Sequence, residues 1–560
     1  MESITLTLIK LIIFFSAINR LLLPPTAISS TTTTFPKHAR PTNSGYLTIN
    51  STTGSAIFYV FYEAKNLNNL SLSQVPLLIW LQGGPGCSSM TGNFFELGPY
   101  LVTSSLKHNV EHLTLKKNPS SWNRLFGLLF LDNPIGTGFS IASTYEEIPR
   151  DQENVAKHLS IAIKKFISLN TFFETRPVYI TGESYAGKYV PSIGYYIAKR
   201  NKNIPVSERV NLCGLAIGNG LTDPITQVKS HAKSAYYLGL INRQQRTHLE
   251  KLQLEVVRLT KDHEWYHATN ARSKLLNVLQ NMSGLATLYD FRRLTSYEIT
   301  KVTSFLSNNE IKKILKANES VVYEACSPVV GSALHEDVMQ SVRYMIEYLL
   351  NDSDVKILLY TGQCDLRVGV VGIESWVKKM KWDGVKDYME SKREVWMVNG
   401  QLAGYVQKYG NLVNVVVFGA GHLVPADQSV NSQAMIEDWG GVVYLVEPPV
   451  GSFFVLQGWD IFRFSVGIVA TSINLHSIII CKGDICVMIF LVDNEDSAYF
   501  ISESGLSSSC LTLNIKDMKC RSFDLKLLSS SPSHCAVGSQ YSFAIHFATT
   551  FLAIIPELVA

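Results

Sequence analysis

Short apolar runs bounded by glycine recur between residues 35 and 440 and predict buried strands. They are AIFYVFY at 56–62, VPLLIWL at 75–81, GLLFLD at 127–132, PVYITG at 177–182, GLAIGNG at 214–220, VKILLYTG at 355–362 and NVVVFG at 414–419. Continuous apolar strands are typical of a parallel sheet that is covered on both faces. The pattern therefore predicts an α/β fold with a mostly parallel central sheet.

The strand pattern stops between residues 227 and 350. Polar segments with helical periodicity replace it, such as NRQQRTHLEKLQLEVVRL and NEIKKILKA. A helix with one apolar stripe packs that stripe on a neighbouring surface and leaves its polar face in water. We therefore predict that these residues form a helical cap, inserted over the sheet of a single domain that spans residues 35–440.

Residues 441–560 differ from this domain. They begin with a valine- and phenylalanine-rich stretch, become serine-rich, and contain five of the nine cysteines: Cys481, Cys486, Cys510, Cys520 and Cys535. Their spacing is not that of metal ligands. Residues 464–481 are apolar enough to suggest a membrane segment, but Asn474 and His476 argue against stable insertion. We assign no function to this extension, which is either genuine or a mis-joined gene segment.

The N-terminus predicts export from the cytosol. Lys10 precedes the apolar run LIIFFSAI, and small residues follow at 27–30, as in a secretory signal over residues 1–29. An uncleaved anchor is the alternative interpretation. Five N-x-S/T sequons, at Asn50, Asn69, Asn281, Asn318 and Asn351, indicate a glycoprotein. Nine cysteines, an odd number, favour disulfides with at least one thiol left over.

Composition excludes several other classes. Hydrophobic residues make up 46% of the chain and charged residues 17%, as in a globular protein. The net charge is only +4, so nothing indicates a nucleic-acid partner. We expect no cofactor and no metal, and the sequence does not indicate the oligomeric state.

The segment PVYITGESYAGKYVP predicts a catalytic nucleophile. An apolar strand runs through Gly182 and Glu183 into Ser184, and a plausible helix follows. This is the pattern of a nucleophile elbow, in which a serine lies on a sharp strand-to-helix turn with its hydroxyl exposed. Small residues at 182, 186 and 187 suit the close backbone crossing at such a turn.

A serine hydroxyl needs a base, and that base needs a carboxylate to orient it. After a nucleophile elbow the chain order is serine, then an acid, then histidine. Asp365 follows the strand VKILLYTG, and His422 follows the strand NVVVFG. Since all three residues stand at strand ends in this order, we predict the triad Ser184, Asp365 and His422.

The loop after VPLLIWL predicts an oxyanion hole, because it contains Gly83, Gly84 and Gly86. Fixed backbone N–H groups stabilise the charge of a tetrahedral intermediate. We predict that the N–H groups of Gly84 and Tyr185 do so. The alternative is a plain glycine turn, since no Gly-Lys-Ser/Thr follows to make a phosphate loop.

Six motifs together resemble the serine carboxypeptidase family, including the plant serine carboxypeptidase-like proteins. They are WLQGGPGCSS, FFELGP, FLDNPIGTGFS, TGESYAGKYVP, AIGNGLTDP and GAGHLVPADQ. The resemblance covers residues 35–439 and implies an α/β-hydrolase fold with the same triad. It also implies the release of C-terminal amino acids from peptides at acidic pH, in a vacuole or outside the cell.

The resemblance further implies a site for the α-carboxylate of the substrate, formed here by Gln82, Glu96 and Glu183. Two glutamates can hold a third carboxylate only if protons are shared among them. We therefore expect substrate binding to weaken as pH rises. Gln82 departs from the family, which has asparagine there, and its extra methylene can alter the geometry. The resemblance also implies a disulfide between Cys87 and Cys326.

Three other functions remain open. HEWYH, with His263, Glu264 and His267, matches the zinc-protease motif H-E-x-x-H, although it lies in a polar stretch without a third ligand. Some serine carboxypeptidase-like proteins instead transfer acyl groups from glucose esters to an alcohol. The last alternative is a secreted binding protein without catalysis, which the filled triad and oxyanion positions disfavour.

Overall fold

The computed structural model describes residues 31–67, 70–108 and 110–441, and the backbone of six strands between residues 455 and 514. The chain divides into two compact units, Met1–Pro449 and Val450–Ala560. The signal predicted for residues 1–29, the sequon at Asn69, and Cys520 and Cys535 all lie outside the described residues.

The described part of the first unit contains a ten-stranded sheet and a three-stranded sheet. The strands are β1 (Thr32–Thr33), β2 (Asn43–Thr48), β3 (Ala56–Tyr62), β4 (Leu77–Leu81), β5 (Tyr100–Lys107), β6 (Val110–Lys117), β7 (Gly127–Leu131), β8 (Val178–Glu183), β9 (Leu212–Gly218), β10 (Lys356–Gly362), β11 (Glu394–Val398), β12 (Gln401–Tyr409) and β13 (Leu412–Val417). The large sheet has the order β11-β12-β13-β10-β9-β8-β4-β7-β3-β2, and the small sheet has the order β1-β6-β5.

The centre of the large sheet is parallel, from β7 through β4, β8, β9 and β10 to β13. Each of the seven apolar runs overlaps one of its strands, so the predicted mostly parallel sheet is confirmed. The edges differ, because β2, β3, β11 and β12 pair in antiparallel fashion. Strand β3 is buried at every position, and such a run carries no signal of strand direction.

Fourteen α-helices accompany the strands in the described residues. They are α1 (Gln152–Ile167), α2 (Ala186–Lys202), α3 (Pro224–Gln227), α4 (His231–Tyr237), α5 (Arg243–Lys261), α6 (Trp265–Ser283), α7 (Thr300–Ser307), α8 (Asn309–Leu315), α9 (Pro328–Ala333), α10 (Arg343–Asp352), α11 (Val370–Val377), α12 (Val385–Glu390), α13 (Val424–Asp427) and α14 (Ser429–Gly440). None of the helices in the described ranges is both long and apolar enough to cross a membrane.

The large sheet has an apolar core on each face. One core packs α1 and α2 against the sheet, as with Val155 and Tyr189. The other core packs α7, α8 and α14 on the opposite face, as with Phe305 and Trp439. Burial on both faces explains why the central strands are continuous apolar runs rather than alternating ones.

The stretch between residues 227 and 350 is helical, but its helices pack in two different places. Helices α4, α5 and α6 share a third apolar core, which includes Leu249 and Leu275 and reaches Leu366 beside the predicted acid. Helices α7 and α8 instead contribute Phe305 and Leu315 to the core of the large sheet. The segment from α4 to α6 therefore has an apolar core of its own, separate from the two cores of the large sheet.

The second unit contains a six-stranded antiparallel sheet in the described residues. Its strands are β14 (Val455–Leu456), β15 (Trp459–Ser465), β16 (Leu475–Lys482), β17 (Ile485–Val492), β18 (Ser497–Glu503) and β19 (Cys510–Asn514). The apolar stretch 464–481 falls partly on β15 and β16, while residues 466–474 lie outside the described residues.

Candidate active site

Ser184 lies at a sharp turn between β8 and α2. Its backbone φ is 62°, in the left-handed region, which costs a non-glycine residue about 1–3 kcal/mol and is found at functional turns. The surrounding backbone holds the turn, because Ser184 donates its N–H to the carbonyl of Gly218 and its own carbonyl accepts from Gly187 and Leu221, all at 2.9 Å. A Cβ at Gly187 would lie 2.5 Å from the nitrogen of Leu221, so a larger residue does not fit there.

Asp365 and His422 meet in a buried pair beyond the ends of β10 and β13. Nδ1 of His422 lies 2.7 Å from Oδ2 of Asp365. The other oxygen of Asp365 accepts the backbone N–H groups of Arg367 at 2.7 Å and Val368 at 3.1 Å. Nε2 of His422 has no hydrogen-bond partner among the described residues. It is therefore the ring nitrogen available for proton transfer.

Two further residues hold this pair, and the sequence analysis assigned neither a role. Asn219, in the motif AIGNG, donates its side-chain amide to Oδ2 of Asp365 at 2.7 Å. The ring of Tyr289 lies 4.5 Å from the ring of His422, and its carbonyl accepts the backbone N–H of His422 at 2.7 Å. Only the position of Asn219 at a strand end could have drawn attention to it.

The glycine loop after β4 lies directly against the elbow. A Cβ on Gly83 would come within 2.5 Å of the carbonyl oxygen of Glu183 and 2.6 Å of the nitrogen of Tyr185. Gly84 has a φ of 113°, a conformation that glycine adopts without strain. No described group accepts a hydrogen bond from the N–H of Gly84 or of Tyr185. Both donors are thus free to bind an oxyanion beside Ser184.

Gln82, Glu96 and Glu183 form a buried cluster next to the elbow. The amide nitrogen of Gln82 donates to Glu183 at 2.7 Å and to Glu96 at 3.3 Å. The indole N–H of Trp80 holds the amide oxygen of Gln82 at 2.9 Å, which fixes the orientation of the amide. One oxygen of each glutamate has no partner among the described residues.

Burial controls the charge of this cluster. Loss of water raises the pKa of Glu96 to about 8. Burial, together with repulsion from Glu96, raises the pKa of Glu183 well above its usual range. Asp427 lies near enough to raise both further. In acidic solution the two glutamates are therefore largely protonated and can donate hydrogen bonds.

A second buried network anchors the side chain of Tyr185. Its hydroxyl donates to Asp337, and Gln152 donates to the same carboxylate at 2.9 Å. Lys188, fully buried at the start of α2, lies 3.6 Å from Asp337. The side chain of Tyr185, whose backbone N–H faces no described acceptor, is thus tied to a segment more than 150 residues away in the chain, a link that no motif indicates.

The disulfide implied by the resemblance is present between Cys87 and Cys326. It joins the glycine loop to the segment before α9, where Ser327 also donates to the carbonyl of Gly86 at 2.8 Å. Cys364 is buried beside Asp365, and burial raises the pKa of its thiol to about 11. A thiol with so high a pKa is a poor nucleophile at acidic pH.

The zinc-protease motif does not lie on one helix. Helix α5 ends at Lys261 and α6 begins at Trp265, so His263 and Glu264 occupy the turn between them. The ring of His263 stacks on Trp265 at 5.1 Å. A motif that needs both histidines on one helical face therefore does not form.

Four of the five sequons lie in the described residues. Asn281, Asn318 and Asn351 are exposed and Asn50 is half-buried. The amide nitrogen of Asn351 donates to the carbonyl of Lys381 at 3.0 Å, while no such bond involves the amide nitrogens of Asn50, Asn281 or Asn318 among the described residues.

Comparison with known proteins agrees with this geometry. The family Peptidase S10, serine carboxypeptidase, matches residues 33–441. Serine carboxypeptidase-like 50 of Arabidopsis thaliana is 51% identical over 426 residues, which cover 76% of this chain and 93% of that protein. The human probable serine carboxypeptidase CPVL is 32% identical over 439 residues, covering 76% and 86%.

A solved structure is also similar. It is that of Kex1Δp, a prohormone-processing carboxypeptidase from Saccharomyces cerevisiae, with 26% identity and a TM-score of 0.65. The match covers 72% of this chain and 92% of that one. The expected fold and the expected enzyme class are confirmed by these matches. This chain belongs to the serine carboxypeptidase family, with its α/β-hydrolase fold.

Proposed function

We propose that this protein is an acid carboxypeptidase of the secretory pathway, extracellular or vacuolar, which releases C-terminal amino acids through an acyl-enzyme on Ser184. The observation that carries the proposal is the buried cluster of Gln82, Glu96 and Glu183 beside the elbow. An endopeptidase or a simple esterase has no need for buried, protonated acids next to its nucleophile. A free α-carboxylate is the ligand that such donors suit.

In the proposed reaction Ser184 attacks the carbonyl carbon of the last peptide bond. His422 takes the hydroxyl proton on Nε2, while Asp365 holds the ring through Nδ1 and stabilises the imidazolium. The N–H groups of Gly84 and Tyr185 bind the oxyanion. His422 then gives the proton to the leaving amine, and a water activated by the same ring hydrolyses the ester.

The acid cluster accounts for both specificity and pH dependence. Protonated Glu96 and Glu183 and the amide of Gln82 all donate towards the substrate carboxylate. When pH rises through the raised pKa values, the glutamates ionise and repel it. We therefore expect KM to rise between pH 5 and pH 8. Glu183→Gln keeps a hydrogen-bond donor but cannot ionise, so the rise in KM should be smaller in this variant. A flat KM in the wild-type enzyme would contradict this role.

The same proposal places the chain outside the cytosol as a glycoprotein. Signal cleavage within residues 1–29 and glycans on the five sequons are its testable parts. Peptide mapping of the protein secreted by plant or yeast cells, before and after glycosidase treatment, measures both.

Blocked dipeptides assayed beside glucose esters with an alcohol acceptor test the function itself, with Ser184→Ala as the control. Release of free amino acid that Ser184→Ala abolishes supports the carboxypeptidase. Ester transfer without peptide hydrolysis would indicate the acyltransferase instead. Substrate binding without turnover of either class would indicate a non-catalytic binding protein, and turnover by Ser184→Ala would exclude Ser184 as the nucleophile.

A further inference from the structure

Arg272 is a buried cation without a counterion among the residues that the structure describes. It lies on the inward face of α6 with Ala268 and Leu276, and only 7% of the residue is exposed. No carboxylate among the described residues forms an ion pair with it, and no described oxygen accepts a hydrogen bond from it. Burying an unpaired charge costs several kcal/mol. Burial and the nearby Arg367 lower its pKa to about 9, so it stays charged in acid.

The carboxylates on this side of the site are already engaged. Asp365 attracts Arg272, but its oxygens accept from His422, Asn219 and two backbone N–H groups. Asp337 belongs to the segment that α6 contacts, since Thr269 donates to the carbonyl of His335 at 2.9 Å. That carboxylate is bound by Tyr185 and Gln152. Neither acid can serve as the counterion without breaking the active-site network.

Arg367 is a second cation in the same place. Its guanidinium lies 5.2 Å from the ring centre of Tyr289, whose ring lies 4.5 Å from that of His422. Arg367 is half-buried and forms no ion pair among the described residues. Repulsion between it and Arg272 is reflected in the lowered pKa of Arg272. Two unpaired guanidinium groups therefore adjoin the acid loop of the triad.

We propose that Arg272 and Arg367 bind the carboxylate of an acidic side chain in the substrate, so that the preferred peptides carry Asp or Glu next to the scissile bond. This inference rests on the proposed function. The acid cluster serves the α-carboxylate with neutral donors, so the two cations are left to select a second carboxylate. Since arginine binds carboxylates in a planar, bidentate manner, a glutamine of the same shape is a poor substitute.

Matched dipeptides test the proposal on the full-length glycoprotein at pH 5.5, where a glutamate side chain is ionised. One pair is blocked Glu-Leu and Gln-Leu, and the other is blocked Leu-Glu and Leu-Gln. We expect kcat/KM to favour Glu over Gln about tenfold, equivalent to about 1.4 kcal/mol, in one of the two pairs. That pair identifies which residue of the substrate reaches the cations.

Arg272→Met and Arg367→Met should each remove most of this preference, measured as the ratio of kcat/KM for the Glu peptide to kcat/KM for the Gln peptide. The matched control is Arg246→Met, which removes an arginine of α5 that is paired with Glu250 at 2.8 Å and should retain the preference. Because Arg272 has no ion-pair or hydrogen-bond partner in the described part of the chain, Arg272→Met should also raise Tm. Arg272→Lys should retain part of the preference that Arg272→Met loses.

Several results would overturn the proposal. One is equal kcat/KM of the wild-type enzyme for the Glu and Gln peptides in both dipeptide pairs. Another is a preference for Glu that survives in both methionine variants. The third is an Arg272→Met protein that is destabilised or does not fold, since that would reveal a structural partner of Arg272. Failure of the proposed function is a separate result, because then none of the four peptides, the Gln peptides included, would be hydrolysed.

Discussion

The substitution Tyr185→Phe tests whether the contact between Tyr185 and Asp337 positions the oxyanion hole. The change removes one hydroxyl and keeps the ring, which also packs against Tyr189 at 5.1 Å. Asp337 keeps its bond from Gln152 and its contact with Lys188. The buried carboxylate therefore stays paired. The change removes the bond that connects Asp337 to the residue after the nucleophile, together with the longer bond of 3.3 Å that the same hydroxyl accepts from Gln152.

The expected size of the effect follows mainly from the loss of the bond to the charged Asp337. A hydrogen bond to a charged group contributes about 1.5–3 kcal/mol, so we expect a stability loss in this range. Complete loss of an oxyanion donor lowers kcat by about 10²–10³. Since packing still restrains the ring, we expect the backbone N–H of residue 185 to be displaced but still present as a donor. We therefore expect kcat to fall about tenfold, which corresponds to about 1.4 kcal/mol of activation free energy.

KM should stay within about twofold of the wild-type value, because the cluster of Gln82, Glu96 and Glu183 is not touched. The assay is kcat and KM on a blocked dipeptide at pH 5, with active sites counted by a serine-reactive fluorophosphonate. A merely structural role would lower Tm and the number of active sites without changing kcat per site.

Tyr179→Phe is the matched control. Its hydroxyl is also buried and donates to the carbonyl of Gly440 at 3.0 Å, on the part of β8 away from the elbow. We expect a stability loss of similar kind with an unchanged kcat. Equal kcat in Tyr185→Phe and the wild type, or an equal fall in both variants, would refute the positioning role of Asp337.

Three further predictions concern the same site. Gly83→Ala should abolish activity, because the added Cβ would lie 2.5 Å from the carbonyl oxygen of Glu183. The control Gly331→Ala should be neutral, since the nearest atom to its Cβ would be 4.0 Å away. Normal activity of Gly83→Ala would show that the loop can move. Asn219→Ala should lower kcat about tenfold without changing KM, because Asp365 loses a charge-assisted bond of about 1.5–3 kcal/mol, and Asn219→Asp should not restore it. The pKa of Glu96 is raised on folding, so the folded protein loses stability as pH rises. The free energy of unfolding should fall from pH 5 to pH 8 by up to about 1.4 kcal/mol per pH unit. Urea titrations of Glu96→Gln should show a smaller fall in that free energy over the same pH range.

Strand prediction succeeded where burial was complete and failed where it was partial. The seven apolar runs match β3, β4, β7, β8, β9, β10 and β13 to within about two residues of their observed bounds. Strands β2, β5, β6, β11 and β12 were missed, because they lie at sheet edges or in hairpins. Strand β11 alternates between half-buried and exposed positions, so it lacks the continuous apolar signal.

Some residues of the candidate site could likewise be identified from the sequence, and others could not. Ser184, Asp365 and His422 could be proposed from the sequence because each stands at the end of a strongly apolar strand, and the parallel sheet brings those ends to one edge. Asn219, Tyr289 and Asp337 could not, since each acts through a contact with a residue at least 100 positions away in the chain.

The amino-acid sequence by itself determined the central strands of the sheet and the turn at Ser184, and it indicated the proposed triad, because patterns of burial and turn chemistry depend on neighbouring residues. The tertiary structure alone decided which charges are paired. Glu96 and Glu183 are protonated in acid because folding removes their water and brings them together. Within the described residues Arg272 is unpaired, because Asp365 and Asp337 already hold other parts of the site. Such a surplus of charge exists only once the chain has folded.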